Sequence, residues 1–295
     1  MKPSRAVKYL KYVKAAGELF EGHPLRILLD AYRHGEVRVR VKATGEVLNL
    51  TASELLSILY YYVVTHKPPV KYPQGGLSFS EGMLTAHGYV IDGDYAYIGG
   101  FKFVRRINGR PVIDAALVET FIDEAYAAVG FTYRDAVVLD IGAYVGDSAF
   151  YMVKQGARLV YAVEPVDEFY RALEVNIRLN NLEDRVKAIH ARIGELANWP
   201  PILTGSITST APAVSLMGLA KLTKANILKM DCEGCEWWVL NNEPDAFLNF
   251  NVILVEVHRD VKQFVRRMGE LGFKVTAIRR TSMSPLPTFT LIKVE

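Results

Sequence analysis

The segment Asp140-Ile-Gly-Ala-Tyr-Val-Gly-Asp147 sets two glycines four residues apart between two acids. Gly142 can take a positive φ and, lacking a Cβ, lets a ligand approach the backbone. Gly146 allows a tight entry into a following helix. The spacing is not that of the Gly-x-x-x-x-Gly-Lys-Ser/Thr phosphate cradle, nor that of Gly-x-Gly-x-x-Gly. Asp140 and Asp147 would repel a pyrophosphate. They suit a ligand that carries an ammonium group and a sulfonium.

A third acid, Glu164, ends the next apolar run in Tyr161-Ala-Val-Glu-Pro165. A carboxylate at that place can accept two hydrogen bonds from a ribose diol. Loop and acid together point to S-adenosylmethionine, with Asp140, Gly142, Ala143, Tyr144, Gly146, Asp147 and Glu164 around it. The plainer alternative is a turn with a solvated acid after it.

Two further segments, Asn176-Ile-Arg-Leu-Asn180 and Leu228-Lys-Met-Asp-Cys-Glu-Gly-Cys-Glu236, join the first two, with Glu256 and His258 downstream. Over roughly residues 115–260 the chain resembles the FkbM-type family of class I S-adenosylmethionine-dependent methyltransferases. The resemblance implies an α/β fold: a Rossmann-like, mostly parallel seven-stranded sheet. It also implies S-adenosylmethionine as cofactor and methyl transfer, usually to oxygen. It places Arg192 and Asp231 at the cofactor as well. Tyr144 stands where the family more often has Asn, and Ser215-Leu-Met217 replaces its usual Thr-Leu-Asp.

Lys229 and Asp231 share one face of their strand, and Glu256 and His258 share one face of theirs, because side chains alternate. If those strands are neighbours, four ionisable groups meet at the ligand end of the sheet. Buried charge there must be paired or neutralised. One reading is two ion pairs, Lys229 with Glu256 and Asp231 with His258. The other is a methyl-acceptor site in which Asp231, Glu233 or His258 takes a hydroxyl proton, oriented by Glu236 and Glu256. Such a base contributes about 10²–10⁴-fold in rate. Asp231, Glu233 and Glu256 offer oxygens of the kind Mg²⁺ takes, but the spacing does not demand a metal and none is expected. Cys232-Glu-Gly-Cys235 is a Cys-x-x-Cys, which leaves a redox or metal role open, but there is no second cysteine pair for zinc, and it is read as packing.

These residues need elements to hold them. After residue 135 apolar strands alternate with helices: strands at 137–141, 159–164, 186–193, 227–231 and 252–258, and helices at 147–155, 167–180 and 261–271. That pattern argues for a parallel sheet covered on both faces. The closing strands at 274–278 and 288–294 can form an antiparallel hairpin. Before residue 135 the elements are mixed. Helices are expected at 8–20, 25–32, 51–64 and 114–128, a half-buried strand at 37–41 with its return at 47–50, and short strands with Asp92-Gly93 and Asn108-Gly109 turns between 70 and 112. The segment 198–213, rich in Pro, Ser and Thr, could cover the site.

Half of the 295 residues are apolar and 23% are charged, which excludes a largely disordered chain. A net charge of +3 is too small to imply nucleic-acid binding by itself. Two cysteines exclude a disulfide-dense secreted scaffold. The basic N-terminus has no uninterrupted signal-peptide core, and the longest apolar stretch is about half the ~20 residues of a membrane span. A cytoplasmic protein is expected. Only three glutamines hint at a thermophile.

The reading is thus a mixed α/β region at 1–130, expected to supply acceptor selectivity, followed by a methyltransferase domain at 131–295. The expected acceptor is a hydroxyl on a small molecule, sugar or glycan. Arg5, Lys8, Lys11 and Lys14 along one helix leave RNA as an alternative partner, and a non-catalytic cofactor-binding module is another. Oligomeric state is not legible.

Overall fold

The computed structural model describes residues 5–42, 45, 47–52, 55, 59, 62, 90–92, 94–107, 110–111, 114–194, 209–281 and 286–294. The chain forms two compact units, residues 1–90 with 281–283, and residues 91–280 with 284–295.

The first unit contains helices α1 (Arg5–Leu19) and α2 (Pro24–His34) and strands β1 (Glu36–Arg40) and β2 (Val47–Thr51). Proline in the first turn of α2 needs no N–H partner, and Gly35 closes the helix in the left-handed region, its N–H donating to the Ala31 carbonyl. The two strands pair antiparallel, with Val39 opposite Leu48 and Val37 opposite Leu50. Their alternation turns Val39, Leu48 and Leu50 inward, onto Ala16, Leu19 and Phe20 and onto Ile27 and Leu28. The expected helix at 51–64 and the strands expected between 70 and 89 fall largely outside the described residues. So do both expected Gly-containing turns and most of the 198–213 segment.

The second unit begins with short strands β3 (Val90–Asp92), β4 (Tyr95–Ile98), β5 (Phe101–Val104), β6 (Arg106–Ile107) and β7 (Arg110–Pro111), then helix α3 (Asp114–Phe121). Residues 91–130 therefore cluster with the C-terminal half of the chain and not with residues 1–90. Aromatic packing explains this: Phe101 and Phe103 sit 5.3 and 5.2 Å, ring centre to ring centre, from Phe150. The sequence pattern extends α3 to residue 128. The helix stops seven residues earlier, where the N–H groups of Ile122 and Asp123 both donate to the Val118 carbonyl and Glu124 turns to φ 54°.

The main sheet then builds from β8 (Val137–Ile141), β9 (Leu159–Val163), β10 (Val186–Ile189), β13 (Ile227–Met230), β14 (Val252–Glu256), β15 (Phe273–Arg280) and β16 (Pro287–Lys293). Its order is β10-β9-β8-β13-β14-β16-β15. All pairings are parallel except those of β16, which runs antiparallel to both neighbours. This is the mostly parallel, Rossmann-like seven-stranded sheet that the resemblance implies. The intervening helices are α4 (Asp147–Lys154), α5 (Asp167–Leu179), α6 (Leu216–Thr223), α7 (Cys235–Asn242) and α8 (Val261–Glu270). Every residue of β8, β13 and β14 is buried, which is why those strands read as unbroken apolar runs. The expected strand at 186–193 is divided. β10 ends at Ile189, and β11 (Arg192–Ile193) turns away to pair with β12 (Ala213–Val214), the Arg192 N–H donating to the Pro212 carbonyl.

The sheet reverses its winding between β8 and β13. In such sheets the crevice beyond the carboxyl ends of the strands at that switch point is where ligands sit.

Candidate active site at the ends of β8, β9 and β13

A cavity of about 310 Å³ opens at that point, with Gly142, Tyr144, Asp147, Glu164, Arg192 and Asp231 in its wall. Six of the nine expected cofactor residues are thus brought together. The other three, Asp140, Ala143 and Gly146, are not part of the wall.

Gly142 has φ 78°, and a Cβ built there would lie 1.8 Å from the Asp231 carbonyl oxygen. Only glycine allows the turn to cross β13 that closely. The N–H groups of Gly142 and Ala143 both donate to the Val163 carbonyl at 3.0 Å, which ties the turn to β9. Gly146 holds the entry to α4 at φ 96°, where a Cβ would meet Leu173 at 2.8 Å. Ala143 is fully buried beneath the turn.

Asp140 is fully buried, and its partners belong to the scaffold. Its carboxylate lies 3.0 Å from Lys229 Nζ and accepts the Ser148 hydroxyl at 2.6 Å. Parallel register makes the pair, since Lys229 of β13 stands opposite Asp140 of β8. Lys229 therefore pairs with Asp140, not with the Glu256 that strand alternation alone suggests. Burial works against the ammonium, but Asp140 and then Asp231 outweigh it and hold the Lys229 pKa above its ordinary value. Lys229 also donates to the Gly142 carbonyl at 2.7 Å, pinning the turn from below.

Glu164 is buried to 4% exposure and accepts two backbone donors at 2.8 Å, Tyr144 N–H on one oxygen and Val166 N–H on the other. Each carboxylate oxygen keeps lone-pair capacity for a further donor. Burial pushes this carboxyl up to about 8, against the pull of both backbone donors. Asp147, in the first turn of α4, accepts the Thr120 hydroxyl at 2.6 Å, and burial raises it to about 6. The Tyr144 ring meets Phe169 edge-on at 4.5 Å, and both line the cavity. Arg192 has two buried guanidinium nitrogens, Nε and Nη1, without a hydrogen-bond partner among the described residues.

The acceptor side lies beyond β13. Asp231 follows the strand, its N–H donating to the Ile141 carbonyl at 3.0 Å. Its Oδ2 accepts the hydroxyl of the buried Tyr126 at 2.9 Å. In the sequence Tyr126 looks like one more apolar position of a helix, which hides its role. Glu233 and Gly234 take positive φ, 57° and 116°, and turn the chain into α7. Cys232 and Cys235 flank this turn and are joined by a disulfide. The pair is thus a crosslink in the cavity wall and not simple packing. The spacing of three residues carries that possibility, and the tight turn realises it.

Glu236 is fully buried and gathers the neighbouring strand end. It accepts the Gly234 N–H at 3.0 Å and the His258 N–H at 2.9 Å, and its Oε1 lies 3.2 Å from His258 Nδ1. The other ring nitrogen, Nε2, faces Glu233 at 3.4 Å, Glu256 at 3.7 Å and Asp231 at 3.9 Å. Burial disfavours the charged ring, but the Glu236 hydrogen bond and the surrounding carboxylates prevail and carry His258 up to about 9. Asp231 and Glu233 line the cavity, whereas His258 and Glu256 stand behind them. His190, between β10 and β11, lies 3.1 Å from the Asp167 carboxylate.

Residues 140–275 match the methyltransferase FkbM domain. The FkbM match runs from the glycine turn into the start of β15, so it includes every residue of the two walls just described except Thr120 and Tyr126. Two curated plant proteins are also similar. "Probable protein arginine N-methyltransferase 6" of Arabidopsis thaliana is 31% identical over 105 residues, 36% of this chain and 23% of that protein. "Probable protein arginine N-methyltransferase 6.1" of Oryza sativa subsp. indica is 35% identical over 60 residues, 20% of this chain and 16% of that protein. The aligned segments thus span less than a quarter of the length of these curated relatives. Among solved structures, P. horikoshii TYW2 in complex with MeSAdo aligns with a TM-score of 0.45 at 16% identity, covering 67% of this chain and 70% of that one. M. jannaschii TYW2 in complex with AdoMet aligns with a TM-score of 0.43 at 14% identity, covering 68% and 86%.

Proposed function

We propose that the chain is an S-adenosylmethionine-dependent methyltransferase that methylates a hydroxyl of a small molecule, a sugar or a glycan. The observation that carries this reading is one cavity with a buried carboxylate, Glu164, at the end of β9 and a second, tyrosine-held carboxylate, Asp231, at the end of β13. The residues fit the cofactor. A side chain at Gly142 would close the turn, Glu164 has acceptor capacity left, and two Arg192 nitrogens lack partners among the described residues. When bound, the cofactor supplies a methyl group already activated by its sulfonium.

The chain's own residues do the rest. Glu164 accepts the ribose hydroxyls, and ionised Asp147 at the start of α4 holds the ammonium. Arg192 borders the base. Asp231 takes the acceptor's hydroxyl proton while Tyr126 fixes its orientation. Alignment of oxygen, methyl and sulfur is the larger part of such catalysis. Ala116, Glu119, Thr120 and Tyr126 come from region 1–130 and line the cavity, which supports that region as a source of acceptor selectivity.

Calorimetric titration with S-adenosylmethionine tests the reading, and the expected outcome is one saturable site. No binding at millimolar ligand overturns it. A nitrogen acceptor is a second reading, favoured by the paired acids Asp231 and Glu233 in the wall, which would hold a guanidinium, and by the names of the two plant relatives. Methylation of an arginine-containing peptide in preference to hydroxyl acceptors would select it. An RNA acceptor rests on the α1 stripe, where Lys14 already stands 3.7 Å from Glu18. Salt-sensitive retardation of tRNA would favour it.

A further inference from the structure

We infer that Asp231, Glu256 and His258 form a binding site for one divalent first-row cation, with Mn²⁺ as the working probe and Glu233 as an additional carboxylate ligand. The inference deepens the acceptor side of the reading above and rests on it only for what the ion would do, not for whether it binds.

One ligand atom from each of Asp231, Glu256 and His258 lies within 4.8 Å of the others. Two atoms bound to one ion at about 2.1 Å stand about 3.0 Å apart at right angles and about 4.2 Å apart at most. The distances from His258 Nε2 to Glu233, Glu256 and Asp231, 3.4, 3.7 and 3.9 Å, all fall inside that range.

An acidic cluster alone would not mark a site, but here a histidine is aimed into it. The His258 side chain is 10% exposed, and among the described residues its Nε2 has no hydrogen-bond partner. Three carboxylates around one such nitrogen favour positive charge there, which a bound cation supplies when it displaces the ring proton. Its other nitrogen, Nδ1, faces fully buried Glu236, so the proton that a bound cation displaces is the one on Nε2. A carboxylate behind a metal-binding histidine is the usual outer support of such sites, and Tyr126 gives Asp231 equivalent support. The donor set, one imidazole with carboxylates, suits Mn²⁺ and its first-row neighbours better than a purely oxygen-seeking ion. Asp231 and Glu233 border the cavity, so an ion held here can reach an acceptor hydroxyl and lower its pKa.

The test is Mn²⁺ titration of the full, cofactor-free chain, followed by electron paramagnetic resonance, with pulsed detection of nitrogen coupling. We expect one saturable site, a coupled imidazole nitrogen, and affinity weakened roughly tenfold or more in both Glu256→Gln and His258→Gln. Absence of saturable binding at millimolar Mn²⁺ overturns the inference. So does bound Mn²⁺ without nitrogen coupling, or an unchanged affinity in Glu256→Gln. The wild-type nitrogen coupling decides the matter even if a variant misfolds. Because no cofactor is present, a negative result here leaves S-adenosylmethionine binding to be judged by its own titration.

Discussion

Glu164 accepts the Tyr144 backbone N–H at 2.8 Å, so the acid that ends β9 also clamps the turn leaving β8. The same carboxyl is raised from 4.5 to about 8 by burial. A ribose diol can donate fully only to the ionised form. Below pH 8, cofactor binding must therefore expel a proton. Affinity is expected to fall as pH drops from 8 toward 6, by up to about tenfold per unit. Calorimetry at pH 7 in buffers of different ionisation enthalpy should show close to one proton released. In the free protein the sign is the same as for any acid whose folded pKa is raised. The contribution to stability is fully present below about 4.5 and is lost as pH rises to about 8. Glu164→Gln should flatten both trends.

Asp231→Asn should separate chemistry from binding. It keeps the shape of the wall but removes the proton acceptor. Methyl transfer is expected to drop by about 10²–10⁴-fold, with cofactor affinity within a few-fold of the parent. Equal losses in both would assign Asp231 to binding alone.

Gly142→Ala should cost more than a loop substitution normally does. The new Cβ would meet backbone, the Asp231 carbonyl at 1.8 Å, in a residue already at φ 78°. Overpacking and a strained φ add. Loss of about 3 kcal/mol or more in urea unfolding is expected, together with loss of cofactor binding.

Asn176→Ala should weaken the joint between β5 and the methyltransferase core. Buried Asn176 accepts the Val104 N–H at 2.8 Å and donates to the Val145 carbonyl at 2.9 Å. Its removal leaves two backbone groups without partners. A cost of about 2–4 kcal/mol is expected in chemical denaturation.

The Cys232–Cys235 disulfide gives a direct count. Thiol titration of the denatured chain should find no free thiol before reduction and two after it. The loop it closes is short, so reduction should cost about 2 kcal/mol or less.

The second unit's strands are legible in the sequence because both their faces are buried. Val137–Ile141 and Val252–Glu256 have no solvent side to interrupt the apolar run. The glycine turn is legible because its spacing is local. The role of Asp140 is not, for the opposite reason. Its partner Lys229 lies far along the chain, and only the β8–β13 register brings them opposite each other. Tyr126 is hidden by a periodicity that continues past the true end of α3, since Ile122, Ala125 and Tyr126 are buried without being helical. Glu236 looks like one acid among several. That it meets both the backbone and the ring of His258 depends on how α7 sits over the end of β14.

The turn after β8 rests on the peptide of Asp231 and is held from beneath by Lys229. On the proposed reading, nucleoside recognition and proton removal consequently share one seam. If the chain works as proposed, moving the backbone at Asp231 to suit a new acceptor would also loosen the grip on the methyl donor. Redesign has more room on the α3 side of the cleft, at Ala116 and its neighbours.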